Sequence, residues 1–390
     1  MSSDFNFDDE ALKAALKRIY NEDFNPMTQI EENLFGEFWN KLNEAAGKGL
    51  GKITPVDTDV EFYRELQYNN GVFAAFKVHR MQNDMAAKLL DENGELKPFK
   101  QWLNDVQTIA DHQVVQWFGT EYDTAVKRAH LAAEWKQFER EADVLPNLEW
   151  IKSTSITPGE DHRIFWGTVR PIHDAFWELH KPGDRWGCKC GLRSTDKKPT
   201  PVNNLPSGKA DEPAAGLGNN PAADGKLFSS LHPYFTDHYG SKKNILLESD
   251  KLMTKYSREE VRKHFQKELK GKSLMLQASK GPAKTISVSH QDIKTITGKP
   301  HKYNYMKNTC CYWLPQILKK AEYLGWSPDM KGAAVPGHGD VKNWHYYRFR
   351  LNNEDSFLVI KERMNGEFRI HAIQDKEHFK ENKLKNPFEH

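Results

Sequence analysis

Two cysteines and two histidines lie close together near the middle of this sequence, in a stretch without long helical periodicity. Cys188 and Cys190 flank a single lysine, and His162 and His173 precede them. Thiolate and imidazole are preferred ligands of zinc, and a small loop-rich region gains folding free energy when it binds a metal. The residue types therefore predict a structural zinc site of Cys188, Cys190, His162 and His173, with Asp174 as the alternative to His173.

A second interpretation of these residues stays open. Cysteines also pack as small apolar side chains, and histidines also form hydrogen bonds within a core without any metal. The Cys-x-Cys spacing is tighter than the two-residue spacing of common structural zinc sites. No His-Glu-x-x-His motif occurs in the sequence, so the pattern favours a structural metal over a catalytic one.

Cationic and titratable side chains recur in the last part of the chain. Cleavage of RNA by its own 2′-hydroxyl group needs a general base, a general acid and cations that stabilise the phosphorane, and it needs no metal cofactor. Six residues could supply these groups: His301, Lys302, His345, Tyr346, Arg348 and His371. Such a site requires His301, His345 and His371 to converge in one cleft. The alternative is a solvated cationic face, with His345 as a hydrogen-bonded core residue.

The composition is that of a polar, folded chain. It has 390 residues, a net charge of +2, a mean hydropathy of -0.77 and 12% aromatic residues. This length predicts two or three domains, and the small net charge means that any surface for nucleic acid is local. No apolar run is long enough to span a membrane, and the acidic first residues do not resemble a secretory signal. We therefore expect no membrane partner, and a protein kept in a cytosol or carried in a particle assembled there.

The four cysteines form two tight pairs, Cys188/Cys190 and Cys310/Cys311. Disulfide frameworks spread their cysteines along a chain, and a cytosol keeps thiols reduced. We expect no structural disulfide, and we expect Cys310 and Cys311 to be reduced and buried.

The hydrophobic pattern divides the chain into four parts. Residues 1–150 predict a helical arm, residues 151–195 a small α+β cap, and residues 226–390 a separate small α+β domain. Residues 196–225 hold five prolines and four glycines without apolar periodicity, which predicts a disordered linker. The expected fold class is α+β multidomain, with an antiparallel β-meander in the last domain.

Local signals within these parts predict individual elements. In the arm, one helical stretch is expected at 99–118 and the next at 122–142. Ser257 and Glu260 form a capping-box pattern, which predicts a helix that begins there and ends near Gly271. Apolar residues from Leu314 to Leu324 predict a further helix, and three alternating runs at 345–351, 356–362 and 367–373 predict the meander.

The middle of the chain resembles the head-morphogenesis domain of phage Mu F-like proteins. The resemblance covers roughly residues 60–195, and it departs from the family at Gly159 and Lys189, where arginine is usual. It implies a minor capsid protein that contacts the portal and capsid, found inside the virion and in the host cytoplasm during assembly and after injection. The residues that carry it are Asp161-His162-Arg163, Gly167, Pro171-Ile172-His173-Asp174, Phe176-Trp177, Pro182-Gly183 and Trp186-Gly187-Cys188-Lys189-Cys190-Gly191-Leu192-Arg193.

The last part, from Ser287 to Asp375, resembles phage relatives of barnase, EndoU, colicin and RelE-type nucleases. The resemblance is carried by 289–294, 298–302, 344–347 and 371–373. It implies a ribonuclease toxin that requires no cofactor, takes RNA as its substrate and is matched by an immunity protein.

Three hypotheses about function follow from these patterns. The first is a capsid protein that carries a ribonuclease effector. The second is a purely structural, portal-associated head protein whose last domain binds nucleic acid, such as packaged DNA, or protein without catalysis. The third is a soluble bacterial metalloenzyme with no connection to phage.

Overall fold

The chain folds into two compact α+β units, which a computed structural model describes at residues 7–51, 59–206, 212–330, 339–352 and 354–379. Unit 1 comprises Met1–Thr54 and Asp59–Ser249, and unit 2 comprises Pro55–Thr58 and Asp250–His390. This division confirms the α+β fold class. The boundary lies within helix α9 (Lys242–Glu268), beyond the segment predicted as a linker. None of the described helices combines the length and the apolar character that crossing a membrane requires.

Unit 1 begins with a helical arm, as the apolar spacing predicts. Its helices are α1 (Asp9–Ile19), α2 (Glu32–Leu50), α3 (Val60–Ala86), α4 (Phe99–Ala110) and α5 (Trp117–Glu141). The α2 stripe, which includes Leu34, Phe38 and Leu42, is fully buried and packs against α3 and α5. Asp59 occupies the cap position of α3, and its side chain makes no capping hydrogen bond.

The expected break between the last two arm helices is absent. A π-helix, Asp111–Gln116, joins α4 to α5 and keeps the path helical from Phe99 to Glu141. The prediction was wrong here because Gly119 sits inside α5, where one glycine costs only about 1 kcal/mol relative to alanine.

A buried ion pair lies in the interior of the arm. The Lys77 ammonium group is fully buried and lies 3.0 Å from Oε2 of Glu121, which is also buried. Lys77 donates to the Tyr234 hydroxyl at 3.0 Å, and that hydroxyl donates to the other carboxylate oxygen of Glu121 at 2.9 Å. Burial raises the pKa of Glu121 and lowers the pKa of Lys77, so each charge depends on the other.

The cap is a three-stranded antiparallel sheet with short helical turns. Its central strand β1 (Asn147–Ile151) pairs with β2 (Val169–Pro171) on one side and with β3 (Gly191–Thr195) on the other. The short helix α6 (Phe176–Leu179) lies between β2 and β3 in the chain. β1 begins directly after Pro146.

The segment predicted as a disordered linker is ordered wherever it is described. At 196–206 it follows the cap, since Thr200 donates to the Val169 carbonyl at 2.8 Å. At 212–225 it includes α7 (Pro221–Asp224), and Leu217 is fully buried. Residues 207–211 lie outside the described residues.

The hydrogen bonds of Arg128 explain why this segment is ordered. This α5 residue is 1% exposed, and its guanidinium group donates to the carbonyls of Gly183, Leu217 and Leu227 at 2.7 Å each. It also donates to the carbonyl and side-chain oxygens of Asn219. Five fixed donors match the carbonyls of a chain that has few side-chain anchors of its own. The composition of the segment shows that it has few apolar anchors. It does not show that Arg128 of α5 supplies hydrogen-bond donors to its carbonyls.

After α8 (Pro233–Thr236) and α9, unit 2 forms a six-stranded sheet in the order β4-β5-β9-β8-β7-β6. The β5–β9 pair is parallel, and the other described pairs are antiparallel. The strands are β4 (Leu274–Leu276), β5 (Ile286–Val288), β6 (Glu322–Pro328), β7 (Val341–Leu351), β8 (Glu354–Arg363) and β9 (Phe368–Asp375). The predicted meander is present as β7–β8–β9.

One face of this sheet packs against α10 (His290–Gly298) and α12 (Leu314–Lys320), with α11 (Asn304–Thr309) between them in the chain. Tyr347, Leu358 and Ile360 are fully buried on this inner face. The opposite face carries a smaller cluster of Val341, Trp344, Val359 and Ala372, against which Tyr346 packs. Alternation along β7 therefore sends His345 inward and Tyr346 outward.

Two local predictions in unit 2 differ from the structure. Ser257 lies inside α9, where its hydroxyl donates to the Thr254 carbonyl, because the same four-residue pattern also occurs within helices. The capping box that does form joins Ser289 to Asp292 at the start of α10. The helix expected to reach Leu324 ends at Lys320, because residues from Glu322 onward pair with β7 as an edge strand.

Candidate metal centre

Short turns of the cap position three of the four predicted zinc ligands. His162 directly precedes a single 3₁₀ turn, Arg163–Phe165, and Cys190 directly precedes β3. Cys188 follows Gly187, whose φ of 69° lies in the left-handed region that favours glycine. The Thr154 amide donates to the Lys189 carbonyl, which holds the Cys-x-Cys loop against the residues after β1.

The three side chains form a compact donor set. One ligand atom from each of His162, Cys188 and Cys190 lies within 4.8 Å of the other two, and Nδ1 of His162 is 3.3 Å from Sγ of Cys188. His162 and Cys190 are 4% and 2% exposed, whereas Cys188 is partly exposed. Two sulfurs and one imidazole nitrogen at this separation are a donor set that zinc prefers.

Asp184 fixes the orientation of the His162 ring. Its Oδ1 lies 2.8 Å from Nε2 of His162, which leaves Nδ1 directed at the cysteines. Arg185 lies 3.1 Å from the same oxygen and 3.2 Å from Asp161. A carboxylate on the distal nitrogen is the usual support of a zinc-bound histidine, because it selects the tautomer and raises the basicity of the ligand nitrogen.

The surroundings favour negative charge on the Cys190 sulfur and positive charge on the His162 ring, whereas the hydrogen bond to Cys190 and burial raise the pKa of Cys188 and keep it a thiol. Burial opposes protonation of His162, but the Asp184 carboxylate outweighs it and raises the pKa to about 9. A hydrogen bond from Cys188 lowers the pKa of Cys190 to about 4, with further support from His162. The nearby indole N–H groups of Trp166 and Trp150 also lower the pKa of Cys190.

The fourth predicted ligand is not in the cluster. His173 is exposed in the turn after β2 and does not belong to the donor set. The alternative, Asp174, accepts from Arg170 and from the Phe176 amide, so it is held at the start of α6. The position of His173 in the sequence made it a candidate ligand, but its side chain does not reach the cluster. The Pro171–Asp174 turn directs that side chain to solvent. No other described His, Cys, Asp or Glu completes a set of four.

Sequence reasoning missed Asp184 and Arg128. Asp184 directly follows Pro182-Gly183, which is among the residues of the family resemblance. A carboxylate next to a ligand-rich loop is the signal that could have identified it. Arg128 lies in an ordinary helical run, and nothing in its local sequence marks it as buried.

In unit 2 the predicted catalytic residues are spread over both faces of the sheet. His301 is 4% exposed at the inner face, where Nδ1 accepts from the Tyr303 amide and Nε2 lies 3.3 Å from the Ser356 hydroxyl. Burial lowers its pKa to about 4, so it is neutral at neutral pH. Lys302 is exposed and pairs with Glu354 at 2.7 Å.

His345 lies at a different position on the inner face. It is 3% exposed, with Nδ1 3.0 Å from the Tyr323 hydroxyl and Nε2 3.2 Å from Glu362. Ser356, the contact of His301, is paired with Phe349, four residues along β7 from His345. At about 3.3 Å per residue this is a separation of roughly 13 Å, too far for a shared proton-transfer site.

The three other candidates belong to the opposite face or to its edge. The Tyr346 hydroxyl lies 3.2 Å from Ser327, and Nε of Arg348 donates to Glu322 at 3.1 Å. His371 packs on Trp344, with ring centroids 4.8 Å apart. The structure therefore does not bring His301, His345 and His371 into one cleft. His345 takes the alternative role of a hydrogen-bonded core residue.

The fold and the Cys/His cluster define a two-unit α+β protein with a candidate metal centre in its first unit. Residues 253–372, nearly all of the described part of unit 2, match the family model of large polyvalent protein-associated domain 3. This domain occurs in phage-associated and polyvalent proteins, so the match supports a phage-associated or polyvalent protein. The same comparison shows no head-morphogenesis or nuclease family. Neither the curated proteins nor the solved structures include a match to the chain.

Proposed function

We propose that this chain is a structural minor head protein of a phage or prophage, and that His162, Cys188 and Cys190 hold a zinc ion in its first unit. The observation that carries the proposal is the convergence of these three ligands on one cap, with Asp184 behind the histidine. The head-morphogenesis resemblance covers the same residues. The domain match at 253–372 supports the phage connection independently of the cap.

Zinc would add a further link between two loops of the cap that Asp184 and Arg185 already connect. His162 lies in the turn after β1, whereas Cys188 and Cys190 lie in the loop before β3. A metal that joins these two loops contributes directly to the folding free energy of a small sheet. The resulting rigid cap is suited to contact the phage portal and capsid proteins inside the virion, after assembly in the host cytoplasm.

We infer that unit 2 acts in assembly and not in RNA cleavage. Its two buried histidines lie in separate hydrogen-bonded positions, and Arg348 and Lys302 are paired with Glu322 and Glu354. Paired cations do not present a strongly positive face to a polyanion. These observations favour a protein partner over RNA or packaged DNA.

Metal analysis of the full-length protein tests the zinc proposal. We expect about one zinc per chain and loss of that zinc in Cys188→Ser. Cys311→Ser is the matched control, because Cys311 is buried in unit 2 and lies outside the donor set. A zinc-free protein with unchanged thermal stability in Cys188→Ser would contradict the proposal.

Co-expression with the portal and capsid proteins encoded in the same genome tests the assembly role. We expect the chain to co-purify with portal-containing particles and to stay with them through a density gradient. Particles that form with a normal portal and never contain the chain would refute a head function.

A nuclease assay tests the inference about unit 2. Full-length protein incubated with RNA and EDTA should leave the RNA intact, and His301→Ala should behave identically. Cleavage that disappears in both His301→Ala and His345→Ala would instead establish the ribonuclease hypothesis and make an immunity partner necessary.

A further inference from the structure

The Cys/His cluster lies at the wall of a cavity. The cavity, about 420 Å³, lies between α5 and the loop that contains Cys188. Cys188 is the cluster member that lines it, whereas His162 and Cys190 are buried behind. Gly187, which precedes Cys188, also lines the cavity, and a Cβ added there would meet no atom within 4 Å.

The donor set leaves one corner of a tetrahedron without a protein ligand. Described residues supply three ligand atoms, and Asp184 is engaged on the distal nitrogen of His162. Structural zinc sites are closed by four protein ligands, whereas sites with three keep a position for water or an external ligand. The cluster is exposed on the cavity side of Cys188, so an external ligand would reach it from the cavity.

The cavity wall is predominantly cationic. Lys48, Lys127, Arg185 and Lys189 line it, with Asp123 as the single acidic lining residue among those described. Lys48 forms an ion pair with Glu44, and Arg185 forms ion pairs with Asp161 and Asp184. No ion pair joins Lys127 or Lys189 to an acidic residue within the described ranges. Two lysines without an anionic partner beside a metal position favour an anionic ligand.

We propose that the metal centre binds a small phosphate-bearing anion, with one phosphate oxygen on the open coordination position and Lys127 and Lys189 balancing its charge. This inference rests on the proposed metal site and extends it, because the zinc would then bind a ligand as well as support the cap. The cavity volume suits a small molecule such as free phosphate or a nucleotide. The phosphate group is the chemistry that both share.

The test uses full-length protein with Co²⁺ in place of zinc, because the visible spectrum of Co²⁺ reports its inner ligands. Inorganic phosphate and, separately, a nucleoside monophosphate are titrated into the cobalt protein. We expect a saturable spectral change with at least one probe. The probe that binds with the higher affinity identifies the source of the phosphate group.

Charge variants connect the spectral change to the cavity. The double variant Lys127→Gln/Lys189→Gln should weaken binding on the order of tenfold or more, by loss of two nearby charges. Lys152→Gln is the matched control, since Lys152 is an exposed cap lysine outside the cavity lining. Equal affinities in the double variant and the control would overturn the role of the cavity.

The outcomes separate the two proposals. Cobalt that binds stoichiometrically with a spectrum insensitive to both probes would overturn the anion site and leave the metal site intact. Failure to bind cobalt or zinc would overturn the metal site, and the anion proposal with it. A spectral change that the double variant weakens and the control does not is the supporting result.

Discussion

Replacement of Lys77 by methionine tests the buried ion pair in unit 1. Methionine keeps most of the volume and removes the charge, so the Glu121 carboxylate remains buried, and among the described residues the Tyr234 hydroxyl is its remaining donor. Breaking a buried pair by removing one partner typically costs about 3–5 kcal/mol. For a unit of this size a loss of about 4 kcal/mol lowers the melting temperature by roughly 8–16 °C.

The double variant Lys77→Met/Glu121→Gln separates charge from packing. Glutamine can still accept from Tyr234 and carries no charge, so we expect its free energy of unfolding to return to within about 1–2 kcal/mol of the wild type. Differential scanning calorimetry of the full chain measures both variants. Lys88→Met, at an exposed lysine just after α3, is the control and should change stability by less than about 0.5 kcal/mol.

The pH dependence gives a second signature of the same effect. Burial already raises the pKa of Glu121, and the loss of Lys77 raises it further. A carboxyl group with a raised folded pKa stabilises the fold below its unfolded pKa and loses that contribution as pH rises. The deficit of Lys77→Met should therefore shrink as pH falls towards the ordinary value of a glutamate. A deficit that is independent of pH, or a double variant as unstable as the single one, would refute this reasoning.

Three further predictions concern other buried groups. Arg128→Met should cost on the order of 4 kcal/mol, since several buried carbonyls lose their donors, and should expose 212–227 to proteolysis, which mass spectrometry of the fragments would detect. Because the folded pKa of His301 is about 4, the protein should lose about 2–3 kcal/mol as pH falls from about 6.5 to 4; denaturant titrations of wild type and His301→Gln should show this dependence only in the wild type. A chelator should lower the melting temperature of the wild type and leave that of Cys188→Ser unchanged, and equal shifts in both proteins would argue against metal.

The meander and the arm could be predicted because their signals are local. Alternation at 345–351 and 356–362 predicts which residues face the same side of a strand. The strands β7 and β8 show the same alternation. The candidate zinc ligands were recognisable by residue type, and three of the four converge. The fourth was not recoverable, because spacing does not determine the direction in which His173 leaves its turn.

The remaining errors come from interactions between distant parts of the chain. The order of 212–225 depends on Arg128, which no local window includes. The end of α12 at Lys320 depends on pairing between Glu322 and Arg348 across two strands. The supposed catalytic residues of unit 2 share chemistry, but His301 and His345 occupy separate positions on the inner face, and only the register of β7 with β8 reveals this.

Arg128 also has a consequence for how the protein is made. Leu227, one of its acceptors, lies 99 residues further along the chain, so α5 leaves the ribosome well before its guanidinium group can find all of its carbonyls. At about 5–20 residues per second this interval lasts roughly 5–20 s. During that time the Arg128 guanidinium group stays hydrated, and the surface of α5 around it remains exposed to solvent. Synthesis of residues 217–227 is then the step that allows this face of α5 to close around Arg128.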